Sequence, residues 1–339
     1  MWVGVAHRKT ARIGILYTIS HPSCLNPTRL NKRKGKTVPK VSVLMPVYNT
    51  REEYLRPAIE SILNQTFTDF EFIIINDGST DNSPQVIQEY ADKDSRIKFI
   101  DNKKNSGLIA VLNQGLDLCT GEYIARMDSD DIAYPIRFAK QLAYMEEHPE
   151  CGVLGAWAQK FTTKGRGHIF THEPRLKLLD LFIYGSHVVH PTAMIRRSVL
   201  TEHKIYYDHA YPYAEDYGMW VAIAKVSEIH NLQEILLDYR WHDNNVSVVY
   251  DKPQQDTADK IRAEILDYVM SFDSDKKVFL RAGRETNQYF KLFGIIPFIR
   301  KKQYSISKKK YYLFKRLPII KVEHNRVYLF DRIKIGDWR

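Results

Sequence analysis

Short runs of apolar residues alternate with amphipathic segments through the first 150 positions of the chain. Continuous apolar runs of this length predict buried strands, and the segments between them have the spacing of helices. The predicted strands cover residues 41–47, 70–75, 97–100 and 122–127, and the predicted helices cover 52–65, 83–91, 108–118 and 135–147. This alternation is typical of an α/β fold, with a mostly parallel, Rossmann-like sheet flanked by helices.

The alternation becomes less regular after Cys151. The pattern there predicts strands over 153–161 and 190–197, a strand or hairpin over 229–239, and helices over 176–184 and 215–225. We therefore expect the second half of the sheet to be less regular than the first.

Polar residues follow each of the first four predicted strands. Asn49 follows the first, Asp77 the second and Asn105 the third, and the acidic motif Asp128-Ser129-Asp130-Asp131 follows the fourth. The carboxyl ends of parallel strands meet at one edge of a sheet, and ligands bind there. The sequence therefore predicts a ligand site built from these four loops.

The acidic motif is the most informative of the four. Its carboxylates are too close in sequence to be buried as bare charges, so they face solvent or hold a cation. Carboxylate oxygens are the ligands that Mg²⁺ and Mn²⁺ prefer. The motif alone leaves open a metal site or a solvated acidic turn.

Several other positions have both a structural and a functional interpretation. Asp77 lies in a turn that either caps the next helix or contacts a base or ribose. Glu215 and Asp216 open a predicted helix, where the dipole favours acids, but Asp216 is also a candidate general base. His190 and His242 are either packed histidines or members of the site.

The charge of the chain is unevenly distributed. Residues 1–40 carry nine Lys/Arg and no Asp/Glu, residues 276–339 carry eighteen against four, and the middle has a net charge of −13. We expect residues 1–40 to be a disordered basic leader. Residues 251–339 are expected to form a basic, aromatic and helical extension that anchors the chain to an anionic membrane surface.

Two negative features complete the expectation for location. No apolar run approaches the length of a membrane span, and the three cysteines have no spacing typical of a disulfide framework. We expect a cytoplasmic protein that is peripheral on the inner face of the membrane.

Taken in order and spacing, the motifs resemble those of inverting glycosyltransferases of family 2, which have the glycosyltransferase A-type fold. The matching motifs are Met45-Pro46-Val47-Tyr48-Asn49, Asn76-Asp77-Gly78-Ser79-Thr80-Asp81, Asn105-x-Gly107, Asp128-Ser129-Asp130-Asp131, His190-Pro191, Glu215-Asp216 and Tyr239-Arg240-x-His242. The resemblance covers about residues 41–247. It implies a glycosyltransferase domain over 41–250, with a nucleotide-binding half (41–131) and an acceptor half (132–250).

The resemblance also implies a role for each site residue. Asp216 would be the catalytic base and Glu215 its support, while Asp130 and His242 would bind Mn²⁺ or Mg²⁺. The nucleotide-binding residues would be Pro46, Tyr48, Asn49, Asp77, Asn105 and Asp128. The partners would be a nucleotide-sugar donor, most commonly a UDP-sugar, and a glycan or lipid-linked acceptor of surface polysaccharide, lipopolysaccharide or capsule synthesis.

The motif around Arg240 distinguishes two modes of transfer. Processive synthases of this family normally carry Gln-x-x-Arg-Trp, whereas Asp238-Tyr239 precedes Arg240-Trp241 here. The sequence therefore favours transfer of a single hexosyl or N-acetylhexosaminyl group.

Two alternatives remain open on the sequence alone. A sugar nucleotidyltransferase could share the fold and the metal. The formal charge of +10 suggests a nucleic-acid-binding protein, but the acidic middle of the chain would repel phosphate. We expect no nucleic-acid partner.

Overall fold

The computed structural model describes residues 38–243 and 245–271, together with strand residues between 290 and 337. Strands and helices alternate through the first half, as predicted. They are β1 (Val41–Val47), α1 (Glu52–Leu63), β2 (Phe70–Asp77), α2 (Ser83–Ala91), β3 (Ile97–Asn102), α3 (Leu108–Leu118) and β4 (Tyr123–Arg126).

The second half contains two long strands, over residues 151–162 and 228–240, and several much shorter elements. They are β5 (Ile132–Ala133), α4 (Arg137–Glu147), β6 (Cys151–Thr162), β7 (Gly165–Phe170), β8 (Arg175–Leu176), α5 (Leu178–Tyr184), a 3₁₀ turn (His190–Thr192), β9 (Met194–Arg196), α6 (Arg197–His203), α7 (Glu215–Ala224), β10 (Glu228–Arg240), α8 (Val246–Val249) and α9 (Asp251–Ser271). The predicted strand over 190–197 is therefore wrong over most of its length. Pro191 has no N–H to donate to a sheet, and the chain turns before and after the short β9.

One sheet holds these ten strands, in the order β3-β2-β1-β4-β9-β6-β10-β5, with β7 paired to β6 and β8 to β10. The strands β3, β2, β1 and β4 are parallel to one another. Because β9 is antiparallel to both β4 and β6, and β10 is parallel to β6, six strands of this sheet run in the same direction. The prediction of a mostly parallel α/β sheet is confirmed.

The sheet has a hydrophobic core on each face. Leu44 and Ile73 face a cluster that contains Trp220 of α7. Their strand neighbours, such as Met45 and Phe72, face a second cluster that is covered by α1, α2 and α4. Successive side chains of a strand point to opposite faces, so a continuous apolar run supplies both cores.

The predicted helical extension is confirmed only as far as α9. Beyond it, the described elements are the strands β11 (Phe290–Leu292), β12 (Ile296–Phe298), β13 (Arg300–Ser305), β14 (Lys308–Leu313), β15 (Leu317–Glu323), β16 (Arg326–Leu329) and β17 (Ile333–Asp337). They form a two-stranded and a five-stranded antiparallel sheet. The reason is compositional, since β-branched and aromatic residues favour strands over helices.

Two predictions about the chain ends concern residues outside the described ranges. Residues 1–37 of the predicted leader are not described, and neither are the side chains of the proposed anchor beyond residue 271. Among the described helices, none combines the length and the apolar character needed to cross a bilayer.

A glycine allows two loops at the carboxyl edge to meet. Gly78, after β2, has φ +68°, and a Cβ atom there would lie 2.6 Å from the backbone nitrogen of Asn105. Any side chain would therefore push the loop after β2 away from the loop after β3. By contrast, Gly107 has φ +87°, but a Cβ atom at this position would meet no neighbouring atom within 4 Å.

We predict that Gly78→Ala destabilises the chain more than Gly107→Ala. Both changes place a side chain at positive φ, at about 1–2 kcal/mol, and Gly78→Ala adds a steric overlap of about 1–3 kcal/mol. Urea-induced unfolding measures the difference. Equal unfolding midpoints for the two variants would show that the contact between the loops is not tight.

Candidate active site

A cavity of about 990 Å³ lies at the carboxyl ends of β4 and β10. Six of the residues singled out in the sequence line it, namely Asp128, Asp130, His190, Glu215, Asp216 and His242. They come from four separate segments of the chain. The structure therefore brings together the predicted metal ligands, the predicted base and one predicted nucleotide contact.

The acidic motif is partly buried at this edge. One oxygen from each of Asp128, Asp130 and Asp131 lies within 4.8 Å of the others. Burial, followed by the charge of Asp128, raises the pKa of the Asp130 carboxyl. Asp131 is only 1% exposed, and burial together with its two acidic neighbours raises its pKa further. Ionised carboxylates at this spacing repel one another.

A buried arginine offsets part of this repulsion. Arg126 is 3% exposed, and its guanidinium forms an ion pair with the carboxylate of Asp128. Burial, the largest single influence, would lower the pKa of Arg126. The charge and hydrogen bond of Asp128, together with smaller contributions from Tyr207 and Asp131, outweigh burial, and the pKa is raised. This residue was not identified from the sequence. The sequence did contain a signal for it, because a charged residue inside a buried strand, two positions before Asp128, requires a partner of opposite charge.

The end of β10 and the residues after it form hydrogen bonds with the acidic motif. The backbone N–H of Arg240 donates to Asp131 Oδ1 at 2.7 Å, and its Nε donates to the carbonyl of Asp130 at 2.7 Å. His242 Nε2 lies 2.9 Å from Asp130 Oδ2. Arg240 and His242 therefore contact the acidic motif, although they lie more than a hundred positions after it in sequence.

An aromatic side chain from α1 packs against the same strand end. The ring of Tyr54 stacks on His242 with 5.8 Å between centroids, and the guanidinium of Arg240 lies 4.2 Å from the Tyr54 centroid. Such cation–π contacts are favourable and limit side-chain motion. Tyr54 is thus a second site residue that was not identified from the sequence.

The donor atoms at this edge suit a hard divalent cation. Asp131 Oδ2 is buried without a hydrogen-bond partner, and the pKa values of Asp130 and Asp131 are raised. A cation would relieve both conditions, and oxygen donors favour Mg²⁺ or Mn²⁺. Asp130 and His242 are the predicted ligands, and the carboxylates of Asp128 and Asp131 complete the group that could hold it.

The other five predicted nucleotide residues lie in or beside the neighbouring loops and do not line the cavity. Pro46 is buried inside β1, whereas Tyr48 is 51% exposed just after it. Asn49 joins two loops, because its Oδ1 accepts a hydrogen bond from the backbone of Thr80 at 2.8 Å. Asn105 is exposed in the loop after β3.

Asp77 has a clear structural role. One carboxylate oxygen accepts hydrogen bonds from the backbone N–H and the hydroxyl of Ser106, both at 2.8 Å, and the other accepts the N–H of Gly107 at 2.9 Å. Asp77 is only 4% exposed. It therefore organises the loop after β3, and a nucleotide contact through its carboxylate stays a prediction.

The predicted base is well oriented at the start of α7. Asp216 Oδ2 accepts a hydrogen bond from the hydroxyl of Ser186 at 2.9 Å, and Oδ1 accepts the N–H of Tyr217 at 2.7 Å. Burial raises the pKa of Asp216, while the Ser186 hydroxyl opposes that rise. Burial and the charge of Asp216 raise the pKa of Glu215 to about 7. A carboxylate with a raised pKa is suited to accept a proton near neutral pH.

His190 is packed in the wall of the cavity. Its Nε2 lies 2.9 Å from the hydroxyl oxygen of Tyr207, and its ring contacts the edge of Trp220. Burial, and then the charge of Arg126, lowers its pKa well below the usual value. His190 is therefore neutral at physiological pH.

Comparison with known proteins agrees with this geometry. The sequence model of glycosyl transferase family 2 matches residues 42–203. An uncharacterized glycosyltransferase of Haemophilus influenzae is 37% identical over 243 residues, which cover 69% of this chain and 75% of the relative. The chain belongs to glycosyltransferase family 2. It is therefore a glycosyltransferase, as the motifs implied.

Two further comparisons concern more distant members. The amylovoran biosynthesis glycosyltransferase AmsE of Erwinia amylovora is 32% identical over 209 residues, covering 59% of this chain and 75% of AmsE. The crystal structure of S. aureus TarS 1–349 in complex with UDP-GlcNAc has a TM-score of 0.53 and 22% identity, and covers 70% of this chain and 74% of that one. At this identity, the likeness to TarS establishes the fold of the glycosyltransferase and not its substrate.

We predict that Arg126→Gln destabilises this glycosyltransferase in a pH-dependent way. Removing one partner of a buried ion pair costs about 3–5 kcal/mol. The acidic neighbours already have raised pKa values, and without Arg126 the folded state would bind protons more tightly still. Stability of the variant should therefore recover as the pH falls from about 8 to about 5.5.

Urea-induced unfolding at both pH values measures this effect. Arg51→Gln is the matched control, because the side chains of Arg51 and its partner Glu53 are 64% and 65% exposed, with 3.6 Å between the charged atoms. An exposed pair contributes less than about 1 kcal/mol. A loss for Arg126→Gln that is small, or equal at both pH values, would contradict the role assigned to Arg126.

Proposed function

We propose that this glycosyltransferase transfers a single sugar, with inversion, from a UDP-sugar to a hydroxyl group of a glycan or lipid-linked acceptor. The observation that carries the proposal is the position of Asp216. It lies in the wall of the same cavity as Asp128, Asp130 and His242, with both carboxylate oxygens oriented by hydrogen bonds.

The proposed chemistry is a single displacement. The Asp216 carboxylate takes the proton of the acceptor hydroxyl as that oxygen forms its bond to the anomeric carbon. The bond from the anomeric carbon to the nucleotide diphosphate breaks on the opposite face, and UDP leaves with the bonding electrons. The anomeric configuration is inverted, so an α-linked donor gives a β-linked product.

Asp128, Asp130 and His242 are proposed to hold the Mn²⁺ or Mg²⁺ ion. A bound divalent cation supplies positive charge beside the departing diphosphate. Tyr54 and Arg240 keep the His242 end of this set in place through stacking and backbone contacts. The ion pair with Arg126 holds the carboxylate of Asp128 in the wall of the cavity, where we propose that it contacts the ribose or the metal shell.

Pro46, Tyr48, Asn49, Asp77 and Asn105 are proposed to form the nucleotide pocket. They lie in or beside the loops that follow β1, β2 and β3, next to the acidic motif. The hydroxyls of Thr50 and Ser129 are 2.7 Å apart and connect the first of these loops to that motif. UDP as the nucleotide is supported by the complex of the structurally similar TarS with UDP-GlcNAc.

The acceptor is proposed to belong to surface polysaccharide synthesis. The related AmsE is named for the biosynthesis of amylovoran. Eighteen Lys/Arg against four Asp/Glu in residues 276–339 support contact with an anionic membrane surface. A lipid-linked acceptor would be met there, on the cytoplasmic side.

We expect Asp216→Asn to bind the donor normally and to lose transfer by about 10²–10⁴-fold, because the amide cannot take up the proton. Donor affinity is measured by calorimetry, and turnover by the release of UDP. Screening UDP-, GDP- and dTDP-sugars with Mn²⁺ first identifies the donor. Normal turnover of Asp216→Asn would exclude Asp216 as the base, and release of pyrophosphate would indicate a nucleotidyltransferase.

A second test uses the hydrogen bond from Ser186. The hydroxyl of Ser186 opposes the rise in the pKa of Asp216, so Ser186→Ala should raise that pKa further. A protonated Asp216 cannot act as a base, and activity is lost as the pH falls through its pKa. The acid limb of kcat/KM should therefore move to higher pH by about one to two units, since a hydrogen bond to a charged group contributes about 1.5–3 kcal/mol.

The matched control is Ser186→Thr, which keeps a hydroxyl and should keep the acid limb of the parent enzyme. If Ser186→Ala leaves the acid limb unchanged, Asp216 is not the group whose ionisation limits transfer.

A further inference from the structure

A second group of metal-binding side chains lies at the opposite edge of the sheet. His148 follows α4, Glu150 precedes β6, and His230 is near the start of β10. Arg240, at the catalytic end of β10, is about ten residues and roughly 30 Å further along the strand. The group is therefore separate from the catalytic cavity, which none of its three side chains lines.

The donor atoms of this group are close together. One ligand atom from each of His148, Glu150 and His230 lies within 4.8 Å of the others. The Nδ1 of His148 is 3.0 Å from Glu150 Oε1, and Glu228 places Oε2 at 2.9 Å from His230 Nε2. The ligand atoms of a tetrahedral zinc site are about 3.3 Å apart, so small side-chain movements would complete one.

The chemistry of the donors differs from that of the catalytic site. Two imidazoles with two carboxylates are a ligand set typical of Zn²⁺ and neighbouring transition metals. The catalytic edge offers mainly carboxylate oxygens, with His242 as its one imidazole, and oxygen donors favour Mg²⁺ or Mn²⁺. The two edges of the sheet should therefore select different ions.

The surrounding residues hold these donors in place. The hydroxyl oxygen of Tyr144 is 3.0 Å from His230 Nδ1, the partner that a metal-bound imidazole needs on its other nitrogen. The carbonyl of His148 accepts Arg196 Nη2 at 3.0 Å, and the carbonyl of Glu150 accepts the N–H of Glu228 at 3.0 Å. The backbone on which the ligands sit is thus fixed by contacts to β9 and β10.

One cation already lies near the carboxylates. The guanidinium of Arg175 is 3.8 Å from Glu150 and 3.7 Å from Glu228, and its side chain is 56% exposed. Both distances are longer than a direct charged hydrogen bond, and an exposed arginine can move into solvent. Arg175 therefore balances charge without closing the site.

From these contacts we propose that His148, Glu150 and His230, with Glu228 as fourth ligand, form a site for Zn²⁺ or a similar transition-metal ion. The site joins the end of α4 to the beginnings of β6 and β10. Its role is structural, because a metal shared by three elements stabilises the folded state over the unfolded chain.

The test uses the full chain, freed of metal, and Co²⁺ as a spectroscopic substitute for Zn²⁺. Four-coordinate Co²⁺ with nitrogen ligands absorbs strongly in the visible region, whereas six-coordinate Co²⁺ with oxygen ligands absorbs weakly. We expect the strong bands in the parent protein. They should persist in the control variant Asp130→Ala/His242→Ala, which lacks the catalytic-edge ligands, and disappear in His148→Ala.

Calorimetric titration with Zn²⁺ provides the affinities. His148→Ala should weaken binding by more than about 100-fold, and Tyr144→Phe, which removes only the outer hydroxyl, by about tenfold. Zn²⁺ should raise the thermal midpoint of Asp130→Ala/His242→Ala but not that of His148→Ala.

Glu150→Gln keeps the test decisive if His148→Ala folds poorly, because Glu150 is 39% exposed and the amide has the same shape. Strong Co²⁺ bands that survive in both His148→Ala and Glu150→Gln would overturn the proposal. So would bands that disappear in Asp130→Ala/His242→Ala, since they would then belong to the catalytic edge. Failure of sugar transfer in an activity assay bears on the proposed function and leaves this metal site unaffected.

Discussion

The catalytic edge depends on one buried guanidinium. Arg126 forms an ion pair with Asp128, and its charge also counters the pKa rise that burial causes in Asp130, Asp131 and Asp216. An isolated buried charge is prohibitively costly, and so is a group of unpaired carboxylates. Because each compensates the other, the acids to which we assign metal binding and proton transfer can be held in a partly enclosed cavity.

The long strand β10 brings the remaining side chains to the acidic motif. It begins at the amino edge of the sheet, where His230 lies, and ends at the catalytic edge. There, Arg240 donates hydrogen bonds to Asp130 and Asp131. His242 follows directly and meets Asp130 and Tyr54. The strand therefore connects the two proposed metal sites structurally, although each has its own donor chemistry.

The sequence was a good guide wherever structure and function are local. Continuous apolar runs identified β1 to β4, and the polar residues after them had to meet at one edge because parallel strands end together. Short elements escaped prediction. The two-residue strands β5 and β8 exist only because each pairs with β10, and no local pattern signals a partner a hundred or fifty residues away. The strands beyond α9 were missed because the prediction relied on the basic and aromatic character of the segment and not on its β-branched residues, which favour strands.

By itself, the sequence determined the α/β class, the order of the motifs and the chemical types of the site residues, because these follow from periodicity and side-chain chemistry. Only the tertiary structure decided which groups meet and in what state. It showed Asp77 satisfied by the backbone of Ser106 and Gly107, and Asp216 oriented by Ser186. It also assigned Asp131, which the motif left without a role, to hold the backbone of Arg240. These outcomes depend on burial and on contacts between residues distant in sequence, and neither is encoded in any short stretch of the chain.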